Sequence, residues 1–393
     1  PEITTKLDVF SAAIPPFFAS RAALFPLITL KAINLSLVHG NTVASCTAYS
    51  TYALLLISYG DIANAFEFSS ISLQLNERFK DVARRGRLLF MHGCFINFWK
   101  QSFAKTIPYL EQSFLACSES GDMPFASYSS YVLPTQILEK NERIETLLKT
   151  TNTYLAFANN NRNEVVQKTI LCIHQVALCM IGQTNGDGIL DDGKFNKSEV
   201  LSFFSKAKFE IGAVRMHVMQ QIASFVFHNY EDALSAAKLA SSQIGVLRAT
   251  SSEATHHYYY ALTLTALFTR VSVEQQSEFK EVLVEHLLKL QRWAENCPDN
   301  YQNRYLLVQA EMARIEGRND EAMYLYDNAI DSAHTHGFIQ NEAMCYELAA
   351  NFYKQLGHTR IELSYLFHAR RCYMAWGATR KADQLTIRIP SSY

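Results

Sequence analysis

The chain has 393 residues, of which 49% are apolar and 19% charged, the balance of a folded polypeptide rather than a disordered one. Its 36 basic and 37 acidic side chains leave a formal net charge of −1, which removes the electrostatic warrant for non-specific nucleic-acid binding. The length gives a prior of about two or three domains, or one long repeat array.

Residues 1–24 read as a lead-in. The opening at Pro1 without Met or a basic segment reads as a fragment of something longer, with no signal peptide. The apolar stretches Ala22–Ile33 and Thr169–Ile181 are interrupted by Pro26 and Lys31, and by His174 and Gln175, so neither reaches the roughly 20 residues of a membrane span. From residue 25 onward apolar residues recur with the 3.6-residue period of helices, as in Tyr305, Val308, Met312 and Ile315. Glycine and proline total only 15 and 9, and strand-like alternation is scarce. The class is all-α, with helical repeats over 25–182 and 198–386, a polar insertion loop over 183–197 and a tail over 387–393.

The hairpins carry a recurrent punctuation in which Gly is followed five residues later by Ala: Gly60/Ala65, Gly121/Ala126 and Gly317/Ala322. A fourth copy, FHNYEDAL, keeps Ala233 but has His228 in the glycine place. Near the C-terminus two segments align at a spacing of 40, with Gly317 on Gly357, Ala310 on Ala350 and Ala329 on Ala369, although Ala322 falls on Glu362. Gly at a helix end takes the left-handed conformation that stops it. Asp or Asn then caps the next helix, and Ala one turn in lets the two helices lie close.

Isolated chemical motifs are weak. GILDDGK (188–194) has phosphate-loop spacing, but Phe195 stands where Ser or Thr must hold magnesium, and Asp191 and Asp192 repel a triphosphate. The same stretch offers Asn185, Asp187 and Gly188 in calcium-loop places, with Gln183 and Lys194 where carboxylates are needed. His256 and His257 point about 100° apart on a helix and cannot share a metal; packing or capping beside Tyr258–Tyr260 is their expected role. The eight cysteines show no CxxC pair and read as reduced, buried thiols of a cytoplasmic protein. No catalytic signature is present, so no catalytic residue, metal or cofactor is expected, and the chain alone reads as a non-enzyme.

The order of small residue, Gly, Ala, aromatic (Tyr326) and Ala329 resembles the tetratricopeptide repeat, a pair of antiparallel helices of about 34 residues. That resemblance implies a right-handed superhelical solenoid of degenerate hairpins. The string from YLLVQAEMARIEGRNDEA to WGATRKADQL, with LSLVHGNT, SGDMPFASY and HNYEDALSAAKLA upstream, is similar to the helical segment of bacterial multi-sensor signal-transduction kinases over about residues 25–386. Those proteins also carry a serine/threonine kinase, a STAND-type ATPase, GAF and histidine-kinase domains, whose motifs this chain lacks. The resemblance implies a non-catalytic regulatory arm whose partners are other domains of the same polypeptide or a protein or peptide ligand. A free-standing peptide-sensing regulator and a ligand-free spacer are alternatives, and homodimerisation is left open. The family's inward positions place Arg304, Glu311 and Arg314, and Glu347, Asn351 and Lys354, on a partner groove, with an ordinary solvated helix face as the alternative. Trp376 reads as an apolar plug at the array's end.

Overall fold

A computed structural model describes residues 5–10 and 24–389. Most of the expected lead-in over 1–24 and the last four tail residues, 390–393, lie outside the described residues. Every regular element described is a helix, and no strand occurs among the described residues. The chain is an all-α solenoid of helix hairpins. It divides into two compact units at Leu133/Pro134.

The first unit contains a helical stretch over 5–10 and helices α1 (Phe25–His39), α2 (Val43–Ser58), α3 (Ile62–Phe79), α4 (Val82–Met91) and α5 (Phe103–Ser120). It also holds the first part of α6 (Met123–Glu139). Leu7, Ala32, Ala44 and Ala48 form a small core. Gly86 of α4 lies against Cys117 of α5, where a Cβ would collide, and Ser113 Oγ donates to the Gly86 carbonyl at 2.8 Å. Two helices therefore touch backbone to backbone. Between α4 and α5 a π-helical turn, His92–Ile96, buries His92, whose ring is held by Ser69 Oγ at 2.9 Å and Asn97 Oδ1 at 3.1 Å.

The second unit begins at Pro134 and contains α7 (Ile144–Asn160), α8 (Glu164–Met180), α9 (Lys197–Lys206), α10 (Glu210–Val226) and α11 (Tyr230–Ser241). It continues with α12 (Ser251–Leu267), α13 (Val273–Asn296), α14 (Pro298–Ile315), α15 (Asn319–Thr335), α16 (Ile339–Gln355), α17 (Thr359–Trp376) and α18 (Thr379–Thr386). Helices α8, α10, α12, α14 and α16 neighbour one another in turn, each paired with an outer helix of its own hairpin. At the far end α18 packs back on α8. Arg380 Nε lies 2.8 Å from Asp187 Oδ1, and Trp376 Nε1 donates to the Glu142 carbonyl at 2.9 Å. The inner helices thus form a closed circuit. Trp376 is wholly buried as expected of a terminal plug, and its polar edge also ties the last hairpin to the first.

The punctuation behaves as the sequence implies. Gly60, Gly121, Gly317, Gly357 and Gly377 take φ between 75° and 95°. Ala65, Ala126, Ala233, Ala322, Ala329 and Ala369 are completely buried, leaving room for close helix approach. His228 takes φ 66° in the glycine place. Lys80, Arg162 and Lys208 end other helices with φ of 51–53°. The helical stripe on α14 is shifted from the expected one: Val308 is buried, but Tyr305, Met312 and Ile315 are half-buried, and Asn300, Asn303, Arg304, Leu307 and Glu311 are buried instead. Polar side chains face inward here because they meet polar partners.

The polar stretch 183–197 does not separate the units, because α8 and α10 pack on each other across it. Nor is it wholly solvated. Leu190 and Phe195 are buried, and Gln220 and Asn229 hold the Gly188 and Asp187 carbonyls at 2.8 Å and 2.7 Å.

A Cβ at Gly317 would have nothing within 4 Å, so Gly317→Ala is expected to cost only backbone strain, about 1–2 kcal/mol. Arg162→Gly, at an exposed left-handed position, is expected to shift the urea midpoint the opposite way by a similar amount.

Candidate functional site

The centre of the second unit is filled by the chain's own segment Pro134–Glu142, the end of α6 and the loop into α7. Residues 134–139 are buried all round, yet six of the nine side chains in PTQILEKNE are polar. Buried polar groups need partners, and successive inner elements supply them. Arg215 of α10 donates to Thr135 Oγ1. Gln136 Nε2 donates to Ser251 Oγ of α12 at 3.1 Å. Glu139 accepts from Thr255 of α12 and from Arg304 Nη2 of α14 at 2.8 Å. Lys140 Nζ lies over the Phe338 ring, and Asn141 Oδ1 accepts from the Asn341 backbone of α16 at 3.0 Å.

The six side chains expected on a partner wall divide. Arg304, 3% exposed, is locked to Glu139 and to Thr255 Oγ1 at 3.1 Å, with Tyr258 and Tyr301 rings beside the guanidinium. Glu311 is buried and Arg314 half-buried; they pair at 2.6 Å. Arg314 also reaches the Thr265 carbonyl at 3.0 Å, and Tyr326 donates to Glu311. Glu347, 3% exposed, pairs with Lys381 Nζ at 2.8 Å, lies 2.9 Å from His228 Nε2 and accepts from Tyr373 at 2.9 Å. An open polar wall is therefore corrected at Arg304, Glu311 and Glu347, because neighbouring elements close over them. Asn351 is half-buried and accepts from Arg388 at 2.8 Å, and Lys354 is exposed, 3.8 Å from Glu362. Glu139, Lys381 and the contact of His228 with Glu347 were not legible in the sequence. A polar run inside an otherwise apolar helix, and Lys381 within WGATRKADQL, were the available signals.

The electrostatics are those of fixed structural groups. Burial works to raise the Glu347 carboxyl, but the Lys381 ammonium and His228 hold it well below the usual carboxylate range. Burial lowers Lys381, and Glu347 partly restores it. His256 bridges Gln221 at 3.1 Å and Ser241 at 2.9 Å, matching the packing role expected of it. His257 and His286 share a 2.7 Å hydrogen bond between their Nδ1 atoms, so one ring donates and the other accepts. Burial lowers His256 and His286 to about 3 and lowers His257 further. Burial also pushes Cys46 and Cys117 up to about 11 and Cys172 and Cys372 up to about 12, which keeps these thiols protonated at neutral pH.

No group of three or more His, Cys, Asp or Glu side chains is arranged to hold a metal among the described residues. In the 183–194 stretch Asp187 pairs with Arg380, and Asp192 accepts from Lys194 N at 2.9 Å, Phe195 N at 2.7 Å and Gln175. Those carboxylates hold the loop. No helix among the described residues is long and apolar enough to cross a membrane.

The profile of a family described as "CHK1-like, TPR repeats" matches residues 199–350. The hairpins over 199–350 are TPR-like repeats. A hybrid signal transduction histidine kinase G from Dictyostelium discoideum is 25% identical over 103 residues, 26% of this chain. The chain spans only 3% of that protein's length. A solved structure described as a circular tandem repeat protein with novel repeat topology and enhanced subunit contact surfaces aligns over 98% of this chain and 93% of its own. Its identity is 11% and its TM-score 0.23, too low to bear on the fold.

Arg304→Met is expected to leave Glu139 buried without its charge partner and to lower stability by about 3–5 kcal/mol, with Glu139→Leu in the same chain recovering most of the loss in urea titrations. The histidines give a second expectation. Unfolded, each titrates near 6.5, whereas burial keeps the folded rings neutral down to about 3 for His256 and His286. The unfolded chain therefore binds more protons below about 6.5, and stability, full above that pH, falls as pH drops toward the folded values. The urea midpoint is expected to decline between about pH 6.5 and 4.5, less steeply in His256→Gln.

Proposed function

We propose that this chain is a non-catalytic, cytoplasmic interaction arm of a larger signalling kinase, binding a protein segment or signal and coupling that event to attached ATPase and kinase modules. The observation that carries the reading is the inner face of the second unit, where polar side chains from successive hairpins converge on one chain segment. TPR-like repeats of this kind mediate contacts between proteins, and such a face matches the backbone and side-chain groups of a peptide. The thiols held protonated and the imidazoles held neutral in the interior support a binding role over a chemical one. The partial likeness to an amoebal histidine kinase supports the kinase context without tying it to bacteria.

Coupling would proceed by a population shift between arrangements of the hairpins, driven by a ligand that binds one arrangement better. Arg304, Glu311, Arg314 and Glu347 set the geometry of the groove, and half-buried Asn351 and exposed Lys354 are its contacts. Other domains of the same polypeptide are the first partners to consider.

The test is autophosphorylation of the parent kinase. Lys354→Glu, which lies at the surface and has only a 3.8 Å contact to Glu362, is expected to change the rate severalfold while leaving the thermal midpoint within a degree or so. An unchanged rate, or a parent reading frame that encodes no kinase module, overturns the proposal in favour of a free-standing regulator or spacer.

A further inference from the structure

The segment Pro134–Glu142 has the chemistry of a ligand rather than of a core helix. An ordinary fully buried helix is apolar on every side, whereas this one presents Thr135, Gln136, Glu139, Lys140 and Asn141 to partners on successive elements of the circuit. Its deepest contact is an ion pair with both side chains at most 4% exposed. Such pairs contribute little net stability compared with apolar packing but discriminate strongly against a mismatched group.

The fit is also incomplete on the wall's side. Arg304 donates through Nη1 to Thr255 and through Nη2 to Glu139, while its Nε is buried without a hydrogen-bond partner. Asn303 Nδ2, on the preceding residue and about 100° round the helix, is likewise buried and unmatched. A water-sized cavity of about 10 Å³ lies beside Arg304, lined by Glu139, Asn141, Thr255, Arg304 and Asn341 among others. A buried guanidinium prefers a carboxylate that takes two of its N–H groups in parallel. Glu139, anchored at the end of α6, takes one edge only.

We propose that the inner wall of the second unit is a segment-binding groove occupied in cis by Pro134–Glu142, and that its partner in trans is a helical protein segment ending in a carboxylate that engages Arg304 through both N–H edges. The resident segment then acts as a competitor that must be displaced. This rests on the interaction reading of the previous section but concerns binding alone, so its failure leaves the coupling to kinase activity to its own assay.

The test uses the full chain and a fluorescein-labelled, end-capped peptide PTQILEKNERIE, corresponding to residues 134–145, read by fluorescence anisotropy. Glu139→Gln in the protein weakens the resident segment and is expected to tighten peptide binding about tenfold over the unsubstituted chain. A peptide with Gln in place of its first Glu is expected to lose that gain, as is the protein carrying Glu139→Gln together with Arg304→Gln. Failure of the folded Glu139→Gln protein to bind the peptide better than the unsubstituted chain overturns the proposal. Should Glu139→Gln unfold the chain, hydrogen exchange on the unsubstituted protein decides. Amides of 135–141 exchanging at least tenfold faster than those of 254–265 support a displaceable occupant, and equal rates make the segment a plain core element.

Discussion

The second unit is organised around one buried charge. Once the Glu139 carboxylate leaves water it must be matched, and Arg304 and Thr255 match it from two different inner helices. That requirement fixes the register of the end of α6 against α12 and α14. It also explains why α14 turns Arg304 inward among the buried Leu307, Val308 and Ala310. A second charge group, Glu347 with Lys381, His228 and Tyr373, does the same work where the last short helix returns to α16. Hydrophobic packing brings the hairpins together, and these polar centres decide which residues face which.

What the sequence discloses is the local grammar. Gly60, Gly121, Gly317, Gly357 and Gly377 stop helices through a conformation that only glycine takes without strain, and the alanines that follow all but Gly357 five residues on are wholly buried, so both residue types announce their role. Lys80, Arg162 and Lys208 perform the same stop with side chains that normally avoid that conformation, which hides those turns from a reading based on residue type. His228 falls between the cases. Its place in a hairpin copy gives the turn away, while its contact with Glu347, far along the chain, does not show.

The site is less legible because its contacts are long-range. Arg304 and Glu139 lie 165 residues apart, and Trp376 meets the Glu142 carbonyl across 234 residues. A charged residue on a helix reads as solvated until its partner is known. Periodicity identifies a buried face by its apolar residues, so a face buried by hydrogen bonds and charge is missed. The same blindness covers Pro134–Glu142, whose polarity resembles a linker and whose surroundings are those of a core.

Closure of the inner circuit has a consequence for how this architecture can vary. An open stack of hairpins tolerates duplication or loss of a unit, since each touches only its neighbours. Here the final hairpin is fastened to the first by Trp376 and by Arg380 with Asp187. Adding or removing a hairpin would move those fasteners by the full width of a helix pair. The number of hairpins is therefore set by geometry, and sequence divergence in this unit must proceed by substitution and loop change instead of by growth.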